Sequence, residues 1–218
     1  MHLAENQDIF LHDENALIEA VVLADGVSGS RLGKLGAQIA CDTVMQILLA
    51  EGKHLFTMSK ELVAHLIIER IMDKITQEKL CDLPSDCAST LAFACRDKAK
   101  GKLLTFTLGD TLLYTVSDTD CDLISQPDTD TEGKCCVTTT EDAAQRVSIT
   151  MRDTADQSAV MLCTDGAWQS MYEDSRLNKE LKSEIIAGNY DALKKHLQAT
   201  MPDDDSSFII MKLPQNNA

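Results

Sequence analysis

The sequence predicts an α+β fold, in which strands and helices are grouped rather than alternating. Three observations lead to this prediction. Short apolar, β-rich segments recur through much of the chain. Two segments with apolar residues at helical spacing follow one another early, at 37–51 and 59–80, and a further helical region lies late, at 167–199. A pair of helices inserted early and more helix late is not the pattern of regular βαβ units.

The first third of the chain is predicted to be one strand, a glycine-rich loop and two helices. The apolar run 19–25, EAVVLAD, ends in a carboxylate followed by a glycine, as a buried strand entering a turn does. The loop 26–36 contains four glycines and leads into the helix at 37–51. Ser59 is the expected N-cap of the second helix, 59–80.

The rest of the chain is predicted to hold most of the strands. They are expected at 88–95, 102–108, 111–116, 146–151, 158–164 and 206–213. Gly109-Asp110 separates two of these segments and predicts a hairpin-type turn. The polar, acidic segment 117–145 is predicted to be a long exposed loop, and one or two helices fill 167–199.

Composition and charge restrict the class of protein and its partners. The 218 residues show neither a repeat nor a shift in composition, so we predict a single domain over 1–218. No apolar run approaches the roughly 18 residues that a membrane helix needs. The net charge of −15 argues against nucleic acid as a partner. We expect a monomer that has no membrane partner.

The cysteines and the first residues indicate the compartment. Eight cysteines are present, but none form a Cys-x-x-Cys pair, so a structural zinc site lacks its usual spacing. The chain is large enough to fold without disulfides. The segment Met1–Asp8 has no basic region and no apolar stretch, so no signal peptide is expected. We therefore expect a reducing, cytoplasmic environment.

Four aspartates stand at element boundaries: Asp8, Asp25, Asp165 and Asp204. Asp25 and Asp165 each follow an apolar strand and precede a glycine. Carboxylates that gather at one place repel one another unless a cation neutralises them. Oxygen ligands favour a hard ion, Mg²⁺ or Mn²⁺, over zinc. The alternative for each residue is an ordinary turn or cap aspartate, which is the commoner role of a lone Asp-Gly.

Motifs for other kinds of catalysis are incomplete or absent. The segment GSRLGKL at 29–35 has three residues between its glycines rather than the four of a P-loop. It also has Leu35 where a P-loop has the serine or threonine that holds magnesium. The dinucleotide fingerprint Gly-x-Gly-x-x-Gly, the Gly-x-Ser-x-Gly of serine hydrolases and a Cys-x5-Arg phosphatase loop do not occur.

Several short segments, taken in chain order, resemble the metal-dependent protein phosphatase family of type 2C (PPM), especially its compact bacterial branch. The resemblance spans about residues 6–212 and depends on the order of the segments, because each one alone is unspecific. The segments are Asn6-Gln7-Asp8, VVLADGVSGS at 21–30 with the helix start Gly36-Ala37, Ser89-Thr90-Leu91, Leu108-Gly109-Asp110-Thr111, MLCTDGAW at 161–168 and Asp204-Asp205-Ser206-Ser207.

This resemblance implies a four-layer αββα sandwich of two antiparallel sheets flanked by helices, with a metal site at one edge. Asp25 would bridge two ions, Mn²⁺ or Mg²⁺, and the carbonyl of Gly26 would bind one of them. Asp165 and Asp204 would ligate the other ion, and Asp8 would hold water bound to the ions. Two such ions activate water for in-line attack on a phosphoryl group, so no covalent enzyme intermediate is needed.

The chain departs from the family pattern at positions that face the substrate. Leu3 stands where the family often has a phosphate-binding arginine, and Val27 stands where eukaryotic members have a histidine. Gln169 replaces an aspartate that contributes to a third metal ion in many members, which leaves Asp110 as the residue that would bind such an ion. Only seven residues precede Asp8, so the usual first strand is expected to be truncated.

The resemblance implies hydrolysis of phosphoserine or phosphothreonine on proteins in bacterial signalling, with a phosphoprotein as substrate and a Ser/Thr kinase as a further partner. Two alternatives stay open. The chain could be a catalytically weak or inactive relative that binds a phosphoprotein, or it could hydrolyse a small phosphomonoester at the same site. Arg31 or Lys34 could also replace the missing arginine as the phosphate-binding residue.

Overall fold

The fold is given by a computed structural model, which describes residues 6–78, 81–129, 134–200 and 204–214. The strands are β1 (Ile9–Glu14), β2 (Ile18–Ala24), β3 (Leu91–Asp97), β4 (Lys102–Leu108), β5 (Leu112–Val116), β6 (Cys121–Leu123), β7 (Ser148–Asp153), β8 (Ala159–Cys163), β9 (Tyr172–Glu173), β10 (Arg176–Leu177) and β11 (Phe208–Lys212). The helices are α1 (Gly33–Leu55), α2 (Lys60–Glu78), α3 (Ala143–Arg146), α4 (Asp165–Met171), α5 (Lys179–Ile186) and α6 (Tyr190–Thr200), and a 3-10 helix spans Pro84–Cys87.

Most of the strands form two antiparallel sheets. The first has five strands in the order β1-β2-β3-β4-β7, and the second has four in the order β11-β8-β5-β6. The short strands β9 and β10 pair only with each other. No described helix is long and apolar enough to cross a bilayer.

Side-chain alternation in β2 shows that the first sheet is covered on both faces. Ile18, Ala20 and Val22 pack in one cluster with the buried residues of α1 and α2. Val21 and Leu23 point the other way and pack in a cluster with residues of the second sheet. Because successive side chains of a strand point to opposite faces, β2 contributes to two separate cores.

The second sheet repeats this arrangement. Met161 and Cys163 of β8 pack in a cluster with Leu181 of α5 and Leu193 of α6, whereas Val160 and other residues of the sheet face the first sheet. The layers are therefore helices, sheet, sheet and helices. This confirms the four-layer αββα sandwich and the α+β class that the sequence predicts.

Two local predictions hold at the helices. The helix after the glycine-rich loop forms, although it begins four residues earlier and extends further than predicted, at Gly33–Leu55. Ser59 caps α2 as predicted, because its hydroxyl accepts a hydrogen bond from the backbone nitrogen of Leu62 at 3.3 Å.

The predicted hairpin at Gly109-Asp110 is wrong. Strand β4 pairs with β3 and β7, and β5 pairs with β6 and β8, so this turn carries the chain from one sheet to the other. Gly109 has a positive φ of 92°, a backbone conformation that side chains with a Cβ rarely adopt. A local turn pattern does not reveal which strand its ends will pair with.

Two further predictions are incomplete. The segment 117–145 is not only loop, since it contains β6 and most of α3. The sequence does not predict strand β1, because IFLHDE has three apolar residues followed by three polar ones and so lacks the alternation of a half-buried strand. Its mostly exposed side chains are those of an edge strand.

Candidate active site

The aspartates of the predicted site lie at ends of strands in both sheets. Ile9 pairs with Ala24, so Asp8 and Asp25 stand next to one another at the same end of β1 and β2. In the second sheet Cys163 pairs with both Leu112 and Phe208, so the residues that flank these strand ends also meet. These flanking residues include Asp110, Asp165 and Asp204.

Asp25 is at the electrostatic centre of this group. Its pKa is raised to about 9, chiefly by burial and then by the charges of Asp8, Asp165, Asp110 and Asp204, in that order of size. Without a cation, Asp25 therefore keeps a proton at neutral pH. The structure thus brings the five predicted aspartates into one electrostatic cluster, called here the aspartate cluster (Asp8, Asp25, Asp110, Asp165 and Asp204).

Asp8 is held from the opposite sheet. The hydroxyl of Thr164 donates a hydrogen bond to Asp8 Oδ2 at 3.0 Å, and the same hydroxyl accepts one from the backbone nitrogen of Ser207 at 3.0 Å. Burial is the main reason why the pKa of Asp8 rises to about 6. Asp8 Oδ1 is buried and has no hydrogen-bond partner within the described part of the chain.

The backbone around Asp25 is fixed by two buried threonines. The backbone nitrogen of Asp25 donates to Thr90 Oγ1 at 3.1 Å, and the backbone nitrogen of Thr90 donates to the carbonyl of Asp25 at 2.9 Å. The Thr90 and Thr111 hydroxyls share a hydrogen bond of 2.7 Å. This chain of contacts links the end of β2 to the start of β5.

Gly26 lies where a side chain would not fit. A Cβ on this residue would overlap the backbone of Gly33, the first residue of α1. Its backbone forms an isolated bridge with Ser89. The close packing of Gly26 against α1 holds the peptide that carries the predicted ligand carbonyl beside Asp25.

The remaining aspartates are less enclosed. Burial and the charge of Asp110 raise the pKa of Asp165, whose Oδ1 accepts a hydrogen bond from the backbone nitrogen of Gly166 at 2.7 Å. The carbonyl of Asp110 accepts a hydrogen bond from Trp168 Nε1 at 2.9 Å. Asp204 is exposed, and its Oδ1 accepts from the backbone nitrogen of Asp205 at 2.8 Å.

The donor set of the cluster suits a hard divalent cation. It offers only carboxylate and carbonyl oxygens, and Asp8 Oδ1 is a buried acceptor without a donor. Within the described ranges, however, no group of three or more His, Cys, Asp or Glu side chains is arranged so that it could hold a metal ion as it stands. Repulsion between the carboxylates opposes such convergence, which a bound cation would favour.

The sequence model of the protein phosphatase 2C family matches residues 4–201. The chain belongs to this family. It is therefore a metal-dependent serine/threonine protein phosphatase, a hydrolase, as its motifs predict. No curated protein sequence matches the chain.

Solved structures share the phosphatase fold. A bacterial serine phosphatase superposes with a TM-score of 0.76 at 14% identity, over 100% of this chain and 95% of that one. The serine/threonine phosphatase Stp1 from Staphylococcus aureus gives 0.72 at 14% identity, over 99% and 91%. RsbX in complex with magnesium gives 0.60 at 13% identity, over 98% and 90%.

Two of the positions at which the sequence departs from the family pattern, Gln169 and Val27, lie in the described part of the structure. Gln169 lies one helical turn after Asp165 in α4, and its Nε2 donates to Asp165 Oδ2 at 3.5 Å. Val27 follows Gly26 and is half-buried. Leu3 lies outside the described residues.

The two candidate replacements for the missing arginine differ in their surroundings. Arg31 is exposed and forms ion pairs with Asp86 at 3.1 Å and with Asp82 at 3.4 Å. Lys34 lines an open cleft of ≈ 500 Å³ together with Gln7 and Arg31. Because Arg31 already pairs with two carboxylates, a phosphate would have to compete with them for its guanidinium group.

Sequence reasoning missed the residues that support the aspartate cluster. In the sequence, Thr164 and Thr111 are only parts of motifs, and Cys135 shows only that it is not part of a zinc motif. The Cys135 thiol interacts with Asp110, whose charge adds to burial in raising the pKa of that thiol. Thr164 directly precedes Asp165, so a search for hydroxyl residues beside the motif aspartates would have found it.

Proposed function

We propose that this phosphatase hydrolyses phosphoserine and phosphothreonine on proteins by means of water activated at a two-metal centre. Asp25 would bridge the ions, Gly26 would offer its carbonyl, and Asp165 and Asp204 would ligate the second ion. Asp8 would hold water. The observation that carries the proposal is the proximity of these carboxylates from both sheets, since Asp25 interacts with both Asp8 and Asp165.

The residues of the chain prepare the site in two ways. Thr164 fixes one oxygen of Asp8 and leaves Oδ1 available, so that Asp8 can orient water at the cluster. Thr90 fixes the backbone of Asp25 and hence the direction of its carboxylate. When bound, two divalent ions would lower the pKa of water and neutralise the phosphoryl oxygens during in-line attack. Asp25 must lose its proton for them to bind.

Mn²⁺ or Mg²⁺ is the proposed cofactor, with two ions in the centre. The all-oxygen donor set supports a hard ion, and the related fold of RsbX is known in complex with magnesium. Gln169 occupies the position of a third-ion ligand, so Asp110 would be the main carboxylate for such an ion. We therefore propose that the two-ion centre suffices for activity.

The proposed setting is cytoplasmic signalling. All eight cysteines are free, which suits a reducing compartment. A similar fold, with a TM-score of 0.64, belongs to PppA, described as a key regulatory component of T6SS in Pseudomonas aeruginosa. We propose a phosphoprotein as substrate, a Ser/Thr kinase as its opposing enzyme, and one monomeric domain as the active unit.

A second candidate is a weak or inactive relative that binds phosphoproteins. The ion pairs of Arg31 and the amide of Gln169 beside Asp165 favour it, because both remove groups that would assist turnover. A small phosphomonoester as substrate of the same site is the third candidate.

The test is hydrolysis of p-nitrophenyl phosphate with Mn²⁺, with Mg²⁺ and with chelator. Turnover that requires the ion, and that Asp25→Asn abolishes, supports the proposal. Asp73→Asn is the matched control, since Asp73 is an exposed aspartate on α2. No turnover under any condition would leave the inactive relative as the better description. Phosphopeptides compared with small phosphomonoesters then identify the substrate class.

A further inference from the structure

A second cleft, of ≈ 480 Å³, is lined by neighbours of the aspartate cluster and shares only Ser30 with the cleft at Lys34. It is called here the Val137 cleft. Its surface is mainly apolar, and its volume falls within the roughly 300–1,000 Å³ of small-ligand sites. Together with two serines, a glycine and a lysine, it is lined by Val27, Ala88, Cys135, Val137, Thr139 and Thr140.

The walls of the cleft are tied to the residues of the cluster. On one side Val27 follows Asp25 and Gly26, and its backbone nitrogen donates to the carbonyl of Ala88 at 3.1 Å. On the other side the thiol of Cys135 interacts with Asp110. The walls of the cleft therefore adjoin the residues around which the proposed function places the phosphoryl group.

The far wall is a compact turn. The backbone nitrogen of Val137 donates to Thr140 Oγ1 at 3.1 Å, and the backbone nitrogen of Thr140 donates to the carbonyl of Val137 at 2.9 Å. Thr138 is buried, and its backbone nitrogen donates to the carbonyl of Ser89 at 2.8 Å. These hydrogen bonds preorganise this wall of the cleft. The side chain of Val137 is half-buried and lines the cleft.

We propose that the Val137 cleft binds an apolar side chain next to the phosphorylated residue of the substrate. This inference rests on the proposed function. An extended peptide advances about 3.3–3.6 Å per residue, so one backbone step and the length of a leucine side chain together cover the two residue steps that separate Asp25 from Val27. The phosphatase thereby selects phosphoserine or phosphothreonine with an apolar neighbour over the same residue with an acidic neighbour.

The experiment uses phosphopeptides that differ only in one neighbour of the phosphoserine, which is Leu, Ser or Asp, placed on either side. We expect kcat/KM to be higher for one of the Leu peptides than for its Asp counterpart by on the order of tenfold. In Val137→Asp this ratio should fall to about one or below. Turnover of p-nitrophenyl phosphate, which has no neighbouring residue, should change much less than peptide turnover.

Two further variants keep the result interpretable. Val137→Thr is nearly isosteric and should reduce the preference even if Val137→Asp fails to fold. Leu62→Asp places the same charge on an exposed leucine of α2 and should keep the full preference. Equal kcat/KM for Leu and Asp peptides in the unmodified protein, or a full preference in Val137→Thr, would overturn the proposal.

A binding measurement separates failure of the cleft from failure of the proposed function. Fluorescence anisotropy with labelled phosphopeptides reports affinity without turnover. If no peptide is hydrolysed with Mn²⁺ but the Leu peptide still binds about tenfold more tightly than the Asp peptide, the cleft assignment holds and the hydrolytic proposal fails. If hydrolysis occurs but neither kcat/KM nor affinity distinguishes the peptides, the cleft assignment fails alone.

Discussion

The hydroxyl of Thr164 donates a hydrogen bond of 3.0 Å to Oδ2 of Asp8, which lies 156 positions earlier in the chain. Thr164 follows β8 of the second sheet and Asp8 precedes β1 of the first, so this bond crosses between the two sheets at the edge that carries the aspartate cluster. The bond orients the buried carboxylate of Asp8 and leaves its Oδ1 unpaired among the described residues. The hydroxyl of Thr164 therefore contributes both to the contact between the two sheets and to the orientation of the Asp8 carboxylate in the site.

The first prediction concerns Thr164→Val. The substitution keeps the shape and removes the hydroxyl, so the buried carboxylate of Asp8 loses one donor and the backbone nitrogen of Ser207 loses its acceptor. We expect a loss of about 1–3 kcal/mol in the free energy of unfolding of the metal-free protein, measured by urea denaturation. Activity with Mn²⁺ should also fall, because Asp8 is no longer oriented.

Thr115→Val is the matched control for this prediction. Thr115 is a buried threonine of β5 whose hydroxyl has no partner among the described residues, so its removal should be neutral or stabilising. Equal losses of stability in the two variants would show that the bond to Asp8 has no special weight.

Comparison of sequence and structure explains why the bond between Thr164 and Asp8 was not foreseen. An apolar run is a local property, so the strands followed from segments such as 19–25, whereas the four layers followed from the family resemblance. Residues that are distant in sequence and come into contact between the two sheets, such as Thr164 and Asp8, produce no pattern in the local sequence. For the same reason the turn at Gly109-Asp110 looked like a hairpin, although its two strands belong to different sheets.

The aspartates themselves were predictable for a definite physical reason. Each closes an apolar run or opens a new element, and strand ends at the same edge of two packed sheets lie near one another. Their roles as ligands stay a prediction, because it is the family resemblance, and not the spacing of the residues, that assigns them.

The second prediction concerns the pH dependence of stability without metal. The folded protein raises the pKa of Asp8 to about 6 and of Asp25 to about 9, above the value of about 3.9 in an unfolded chain. The folded state therefore binds protons more tightly than the unfolded state. The stability that results is complete below about pH 4 and is lost as pH rises through 6 and 9.

We accordingly expect the melting temperature in chelator to fall between pH 5 and pH 9. Even a loss of about 2 kcal/mol would correspond to roughly 4–8 °C for a chain of this size. Asp25→Asn cannot take part in this titration, so its melting temperature should fall less. A decline in Asp25→Asn as steep as in the unmodified protein would contradict the role assigned to Asp25.

The third prediction is that Mn²⁺ or Mg²⁺ stabilises the folded protein, and more strongly at pH 8 than at pH 6. An ion that binds only the native state adds stability as its concentration exceeds Kd, by about 2.7 kcal/mol at a hundredfold excess. The ion must displace the proton of Asp25, so binding strengthens as pH rises. Thermal melts at both pH values, with Ca²⁺ as a further hard ion, measure this. A melting temperature that millimolar Mn²⁺ leaves unchanged at pH 8 would argue against the two-metal centre.

The last prediction addresses how the substrate phosphate is held. The family's arginine position is Leu3 in this chain, and Arg31 is engaged by Asp82 and Asp86. We therefore expect weak phosphate binding and a high KM. Leu3→Arg should lower KM for a phosphopeptide by on the order of tenfold, because a charge-assisted contact to phosphate contributes about 1.5–3 kcal/mol and 1.4 kcal/mol is a factor of ten. Its affinity for Mn²⁺, measured by titration, should stay the same.

Arg31→Ala distinguishes this account from its alternative. If Arg31 serves mainly to pair with Asp86, its removal should lower stability slightly and leave KM within about twofold, because an ion pair with an exposed guanidinium group contributes little. If Arg31 instead leaves its ion pairs to hold the phosphate, KM should rise severalfold in Arg31→Ala, and Leu3→Arg should bring no gain. Steady-state kinetics of both variants with one phosphopeptide decide between the two, because each account predicts an effect where the other predicts none.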